Sequence, residues 1–348
     1  MPAHDASAVE QRLDSGLLGY WYVVAKSVDV KLGVPLSVKA LGIDLVLWRG
    51  DDGTVRCLED YCPHRGARLS FGRVSGPDIS CRYHGVTLNG AGVVVSVPGM
   101  AQCALEGRSA VRSFPVQEHV DGVFVYFASV KNPNPPELVL PKELSDSEYT
   151  SFLCTAPWDC NYRYVLDNLV DPMHGIFLHA DTFTLGRGVK QDTVEIVEKE
   201  SGFIVKRVAQ QDVNFDWSEI VVEGPIMFGR VIIPYPPAAG PGGAMFVIPI
   251  VTPINETSCR IFFWRTRHVA DPIAREAWRF LFRASLEKRH WYVLEQDREM
   301  LERMPTTARH RESLYQHDLG VSRLRRIMYR KAVEQLETEA ASSARVAV

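Results

Sequence analysis

The sequence predicts an α+β protein of two domains, an antiparallel β domain followed by a larger domain in which strands are packed by helices. Three observations lead there. The chain has 348 residues, more than one core of ordinary size organises, so about two domains are expected. Short β-rich runs separated by turn signals fill the first third, and a proline-rich break then interrupts them. Beyond the break, further strand-like runs give way to two long stretches with helical apolar spacing.

In the first domain, read over residues 40–130, LVLWR precedes the Asp51-Asp52-Gly53 turn, VVVSV follows Asn89-Gly90 and VFVYF follows Asp121-Gly122. Residues 1–39 are expected to pack on the second domain. Four prolines between Pro133 and Pro141 favour an extended segment with no regular ladder, so residues 131–145 are read as a linker.

The second domain is expected over residues 146–338. Asn161 to His179 has no Gly or Pro before Pro172, which predicts a helix interrupted near Asp171-Pro172. Strands are expected from Phe203, Ile220, Phe228, Met245 and Arg260, with Pro234–Gly243 too rich in proline and glycine to be more than a connection. Asp271-Pro272 reads as an N-cap and first turn. Ile273, Ala277, Leu281, Leu294 and Leu301 then mark a long helix to about Met304. A last helix carries Val321, Leu324, Met328 and Ala332 on one face, and the Ala/Ser-rich residues 339–348 are expected to be a disordered tail.

Composition excludes several classes. Hydrophobic residues at 46% and charged residues at 23% are ordinary for a globular protein and argue against disorder. A net charge of -3 denies the chain the basic surplus that nucleic-acid binding requires. Seven cysteines, an odd number without framework spacing, read as reduced thiols. The opening MPAHDASAVEQRLDSG lacks a basic start followed by an apolar run, and no stretch of about 18 apolar residues occurs, so a cytoplasmic protein outside the membrane is expected.

Two constellations carry chemistry. Cys62-Pro-His64 and Cys81-Arg-Tyr-His84 form a C-x-H, sixteen residues, C-x-x-H arrangement that brings two thiolates and two imidazoles to neighbouring turns. Structural zinc accepts the same four ligands. Each loop, however, mixes one sulfur with one nitrogen, which suits a [2Fe-2S] cluster in which two Cys hold one iron and two His the other; zinc fingers pair like with like.

The second constellation, Asp167-Asn168-Leu-Val-Asp171-Pro-Met-His174-Gly-Ile-Phe-Leu-His179, is weaker alone, and a helix with ordinary polar residues competes with it. At about 100° per residue, five residues leave the two imidazoles about 140° apart on an ideal helix, so the chain must distort or end near Gly175 for both to reach one ion. Two His and a carboxylate on one face of an iron leave positions open for dioxygen and substrate.

CPHRGARLS and CRYHG resemble the Rieske cluster motif, with Val86 standing where relatives often carry tryptophan. Together with N-x-x-D-x-x-H-x₄-H, in that order and separation, the chain resembles the catalytic subunit of the Rieske non-heme iron oxygenases, of the shorter homotrimeric type, from about Trp21 to the last helix. The resemblance implies a helix-grip-like catalytic domain, with a curved antiparallel sheet packed by helices. It also implies a [2Fe-2S] cluster on Cys62, His64, Cys81 and His84. A mononuclear Fe(II) falls to His174, His179 and an acid on a late helix, Asp297, with Glu295 and Glu299 as alternatives.

By the same comparison Asp171 links His174 to His84 of a neighbouring subunit in a head-to-tail trimer, and Asn168 lies near iron-bound water or substrate. The expected activity is hydroxylation or oxidative demethylation of a substituted aromatic compound with O2 and electrons from NAD(P)H, delivered through a ferredoxin or reductase. A non-catalytic electron carrier and a cis-dihydroxylating dioxygenase are the alternatives. Walls for the substrate are expected among the apolar strands between Phe203 and Trp264. Arg323, Arg325 and Arg326 form either a basic patch for an acidic ferredoxin or a solvated helix face. His4, His119, His268, His290, His310 and His317 receive no role.

Overall fold

Every residue of Gly122–Phe127 is buried, as a continuous apolar run demands, and the strand lies between Tyr20–Lys26 and Val116–His119 in a three-stranded sheet. This sheet belongs to a unit spanning Trp21–Pro135 in the computed structural model, which describes residues 6–182, 185–210, 213, 215–234 and 244–346. Two four-stranded antiparallel sheets complete the unit. One runs Leu36–Ala40, Ile43–Arg49, Val55–Glu59, Ser113–Phe114; the other Arg73–Ser75, Asp78–Ser80, Thr87–Leu88, Val94–Ser96.

Trp48, Leu58, Leu69, Ile79 and Leu88 share one core with Cys62 and Cys81, so the two sulfurs are held by the same apolar packing that stabilises the sheets. Trp48 is fully buried and its indole N–H donates to the Pro77 carbonyl at 3.0 Å. Truncation to alanine would cost about 3–5 kcal/mol.

The second unit comprises the chain up to Tyr20 and from Pro136 onward. Its centre is a seven-stranded antiparallel sheet. Six consecutive strands form a meander, Val194–Lys199, Gly202–Arg207, Trp217–Val221, Phe228–Pro234, Ala244–Asn255 and Ser258–His268. Tyr149–Trp158, earlier in the chain, then pairs with the last of them, Tyr149 opposite His268 and Trp158 opposite Cys259. Residues 235–243, the expected connection, lie outside the described residues.

Asn161 caps the helix Tyr162–Leu169 by accepting from the Arg163 amide at 2.9 Å. The helix stops before Asp171-Pro172, as a proline that disfavours helical conformation at the preceding residue requires. A single turn, Gly175–Leu178, follows. Asp271 caps Pro272–Leu281 through the Ala274 amide at 2.7 Å. The expected long helix continues through a π-helical segment, Phe282–Leu286, into Glu287–Glu302. Such a segment widens one turn and rephases the residues beyond it. The last helix, Leu319–Val346, buries Val321, Leu324, Met328 and Ala332. Gly320 permits its approach, since a Cβ there would sit 2.3 Å from the Val170 carbonyl oxygen.

Three expectations change. The first unit begins at Trp21, not residue 40, because Tyr20–Lys26 and Leu36–Ala40 are strands of its sheets. Residues 339–346 are helical, because alanine favours the helix and Glu339 pairs with Arg12 at 2.7 Å on the N-terminal helix Ala6–Ser15. Arg325 is not part of a basic patch: it donates to Asp167 and Glu312, while Arg323 pairs with Glu198. Among the described residues no helix is long and apolar enough to cross a membrane.

Candidate metal centres

The loops after Val55–Glu59 and Asp78–Ser80 repeat one backbone pattern. In the first, the Cys62 amide donates to the Ala67 carbonyl (2.7 Å) and the Gly66 amide to the Cys62 carbonyl (2.8 Å). In the second, Cys81 donates to Val86 (2.8 Å) and Gly85 to Cys81 (2.9 Å). Gly66 and Gly85 both sit at φ +74°, the left-handed conformation that reverses each loop and that a Cβ penalises.

These twin turns bury Cys62 and Cys81 and leave His64 and His84 exposed, with their ring centroids 4.6 Å apart. Burial chiefly pushes the Cys62 thiol pKa up, and the amides of His64 and Arg65, which donate to its sulfur, pull it down. Sulfurs inside and nitrogens outside is the polarity of a cluster that must exchange electrons across a surface. Val86 supplies a carbonyl to its turn and a buried side chain to the core, so the missing tryptophan leaves the loop intact.

In the second unit the distortion required of the His174–His179 stretch is present. His174 precedes the single turn Gly175–Leu178 and His179 ends it, with φ, ψ of −62°, −30° and −103°, 27°, so the two imidazoles converge with centroids 5.4 Å apart. Asp297, from the helix Glu287–Glu302, completes the group: its Oδ1 lies 3.5 Å from His174 Nε2 and 3.3 Å from His179 Nε2. The three donor atoms all fall within 4.8 Å of one another. Of the alternative acids, Glu295 is engaged by Arg298 at 2.9 Å and Glu299 by Arg303 at 2.7 Å, while Asp297 is buried.

The far side of each imidazole is also engaged. His174 Nδ1 lies 2.5 Å from the Asp171 carbonyl oxygen, which can only accept, so Nδ1 carries the proton and Nε2 is free for a metal. His179 Nδ1 lies 2.9 Å from Gln296 Oε1. The Gln296 orientation is set because its amide nitrogen donates to Asp181 Oδ1 at 3.0 Å, while Tyr292 donates to Asp181 Oδ2 at 2.6 Å. Burial disfavours the charged form of His179, and the facing Asp297 carboxylate more than offsets this, so its pKa lies above the ordinary value.

The expected bond from the Asp171 carboxylate to His174 takes another form. That carboxylate accepts from the Met173 amide at 2.8 Å and stands 3.8 Å from Nδ1, leaving the main-chain carbonyl to take the ring proton. Asn168 donates to Asp297 Oδ1 at 3.3 Å. Asp167, also in the motif, serves the scaffold: it is half-buried and bound by Arg309 and Arg325.

His174, His179, Asn168 and Asp297 line one end of a cavity of about 130 Å³. Its walls are mostly apolar, among them Leu185, Phe215, Val231, Val247 and Phe263, so several of the strands expected to form the pocket do so. Gln296, Asp181, Arg265 and His290 escaped the sequence reading. No motif marks them, since each acts through a fold that brings distant segments together.

Residues 20–115 match the family of the Rieske [2Fe-2S] domain, and residues 158–336, just over half of the chain, match that of the vanillate O-demethylase oxygenase C-terminal domain. The chain belongs to the Rieske non-heme iron oxygenases. It is 32% identical over 187 residues to a putative toluene-4-sulfonate monooxygenase system iron-sulfur subunit of Comamonas testosteroni, covering 52% of this chain and 51% of that one. It is 30% identical over 171 residues to the vanillate O-demethylase oxygenase subunit of a Pseudomonas species, covering 47% and 45%. The chain thus spans about half the length of the curated relatives it matches.

Its fold is similar to that of dicamba monooxygenase bound to 3,6-dichlorosalicylic acid, with TM-score 0.69, 23% identity and coverage of 92% and 99%. It is also similar to the terminal oxygenase of carbazole 1,9a-dioxygenase from Nocardioides aromaticivorans, with TM-score 0.78, 18% identity and coverage of 94% and 97%. The donor sets fit the groups this family carries. Two imidazoles and one carboxylate converging from one side match a mononuclear Fe(II), and buried sulfurs with exposed imidazoles match a Rieske cluster.

Proposed function

We propose that this chain is the oxygenase component of a multicomponent system that hydroxylates or oxidatively demethylates a substituted aromatic compound, using O2 and electrons from NAD(P)H passed through a reductase, a ferredoxin or both. The observation that carries the reading is the convergence of His174, His179 and Asp297 at the polar end of an apolar cavity. We assign Cys62, His64, Cys81 and His84 to the cluster and His174, His179 and Asp297 to the mononuclear iron.

When bound, the cluster supplies single electrons and the mononuclear iron supplies the dioxygen chemistry. The protein's share is positional. The Asp171 carbonyl and Gln296 hold the protons on the two Nδ1 atoms, so both Nε2 lone pairs face Asp297. Asn168 occupies one lone-pair direction of Asp297 Oδ1 and restrains that carboxylate. The apolar walls exclude water and fit a ring by shape.

The Asp171 carboxylate, 29% exposed, is assigned to an electron path toward His84 of a neighbouring copy in a head-to-tail homotrimer without a small subunit. A cytoplasmic setting fits donors of this kind. Support for the activity comes from a relative called the oxygenase component of dicamba O-demethylase from Stenotrophomonas maltophilia, 33% identical over 165 residues, 46% of each chain. A carbazole 1,9a-dioxygenase oxygenase solved with its ferredoxin, at TM-score 0.73, supports the donor.

The test is product analysis with a surrogate reductase and NADH against methoxylated, chlorinated and carboxylated aromatics. Formaldehyde released per NADH consumed marks demethylation, and a phenol marks hydroxylation. Failure to oxidise any of them, with a reducible cluster and the same NADH consumption in His174→Ala, would leave only an electron carrier.

A further inference from the structure

The helix Pro272–Leu281 carries apolar residues on two faces, where a helix on the surface of one folded unit needs only one. The inner face is satisfied: Trp278 and Phe282 are buried, and Phe282 stacks on Phe152 with ring centroids 4.1 Å apart. The outer face is bare. Ile273 is 82% exposed, Phe280 72% and Leu281 51%, and Ala277 and Ala284 are exposed as well. Ile273, Ala277, Phe280 and Ala284 follow one another at intervals of four, three and four. At about 100° per residue this draws one seam along the helix and into the segment Phe282–Leu286. Contiguous exposed apolar surface of this kind marks an interaction site.

Glu276 and Arg283, seven residues apart, flank the seam on one side. Together with Arg279, Phe280 and Ala284 they border an open hollow. The Glu276 side chain is 74% exposed, and its ion pair with Arg279 is long, 3.7 Å, and solvated. Arg275, by contrast, donates to the carbonyls of Ser147, Val269 and Ala270 beside the helix.

We propose that this face is an interface between two copies of the chain, in which the helix Pro272–Leu281 and the segment after it pair antiparallel with their own counterpart about a two-fold axis. With the axis between positions 278 and 279, Phe280 of each copy meets Ala277 of the other and Ile273 meets Ala284, so every large side chain faces a small one. The same register sets Glu276 of each copy beside Arg283 of the other, so the flanking ion pair forms twice. A parallel pair would set Phe280 against Phe280 and Ala277 against Ala277, crowding one layer and leaving a void in the next. An anionic lipid surface is a poorer occupant, since an acid sits on the flank and the chain's net charge is -3. A two-fold contact uses the same patch on both copies and therefore doubles any head-to-tail ring that the chain forms. The pairing does not depend on the oxygenase reading.

The test is sedimentation velocity of the metal-loaded full chain across about 1–300 µM, where a small interface is expected to dissociate. The wild type is expected to double in mass as concentration rises. Phe280→Glu, with unchanged iron content and cluster spectrum, is expected to weaken the doubling about tenfold or more. Glu276→Arg is expected to weaken it about threefold, and Glu276→Arg with Arg283→Glu to restore it, which decides the matter even if the Phe280 variant does not fold. Under mild oxidation, a mixture of Ile273→Cys and Ala284→Cys proteins is expected to cross-link where neither does alone. A wild type that never doubles, doubling untouched by Phe280→Glu, charge reversal without rescue, or cross-linking within either cysteine variant alone overturns the proposal. So does binding to phosphatidylserine vesicles that Phe280→Glu abolishes, if the wild type does not double.

Discussion

The cluster loops and the mononuclear site are assembled in opposite ways. The four donors we assign to the cluster come from two short, self-contained turns with the same hydrogen bonds and the same left-handed glycine, and they present exposed imidazoles. The donors we assign to the mononuclear iron come from the two ends of a one-turn helix and from a helix more than a hundred residues later, and they line a cavity. The difference follows from what each centre handles. An electron needs only an exposed edge, whereas a substrate needs an enclosed volume, which no single loop can build.

Breaking one centre while reading the other tests this contrast. His174→Ala or Asp297→Ala is expected to lose the mononuclear iron and drive product formation to background, with the visible and EPR signals of the cluster unchanged. Loss of both signals together would mean that the centres are not independently built.

Gln296→Leu removes the acceptor that holds the His179 proton on Nδ1. It is expected to weaken iron binding about 10–100-fold in a chelator competition, again sparing the cluster. Wild-type iron affinity in this variant would reduce Gln296 to a packing residue.

His290 offers a pH-dependent reading of the enclosed site. Its pKa is lowered to about 3 in the fold, against about 6.5 when unfolded. Unfolding therefore takes up a proton below about 6.5, so the stabilisation is complete above that pH and declines as pH falls toward 3. Between pH 7 and 5 the loss is about 2 kcal/mol. His290→Phe is expected to flatten that part of the denaturation profile, and an unchanged slope would show that His290 is not held neutral.

The smallest effect sharpens the comparison at the cluster. Gly66→Ala meets no atom within 4 Å and tests φ +74° alone, a cost of about 1–2 kcal/mol. Gly85→Ala adds a contact of 2.7 Å with Pro98 Cγ and should destabilise more. Thermal loss of the cluster's visible absorbance measures both, and a tolerated Gly85→Ala would contradict the matched-turn geometry.

Legibility in the sequence followed the same divide. Runs such as VFVYF and FGRVIIP became strands because their apolar pattern is local. The strand Tyr149–Trp158 was missed: it contains Pro157 and buries its residues irregularly, and it is a strand because Ser258–His268 pairs with it. The helix Ala6–Ser15 was missed for a like reason, since Val9 and Leu13 alone mark its buried face.

By itself the sequence determined the two matched loops, because all four candidate donors and both glycines lie between residues 62 and 85 and the turns close through bonds of their own backbone. It also determined the break at Pro172, which no continuous helix accommodates. Only the tertiary structure decided that Asp297, and not Glu295 or Glu299, faces the imidazoles, that Gln296 and the Asp171 carbonyl hold their protons, and that Arg265 lines the cavity. Those relations join segments far apart in the chain, and their geometry is set by how the sheet and helices pack, which local spacing does not encode.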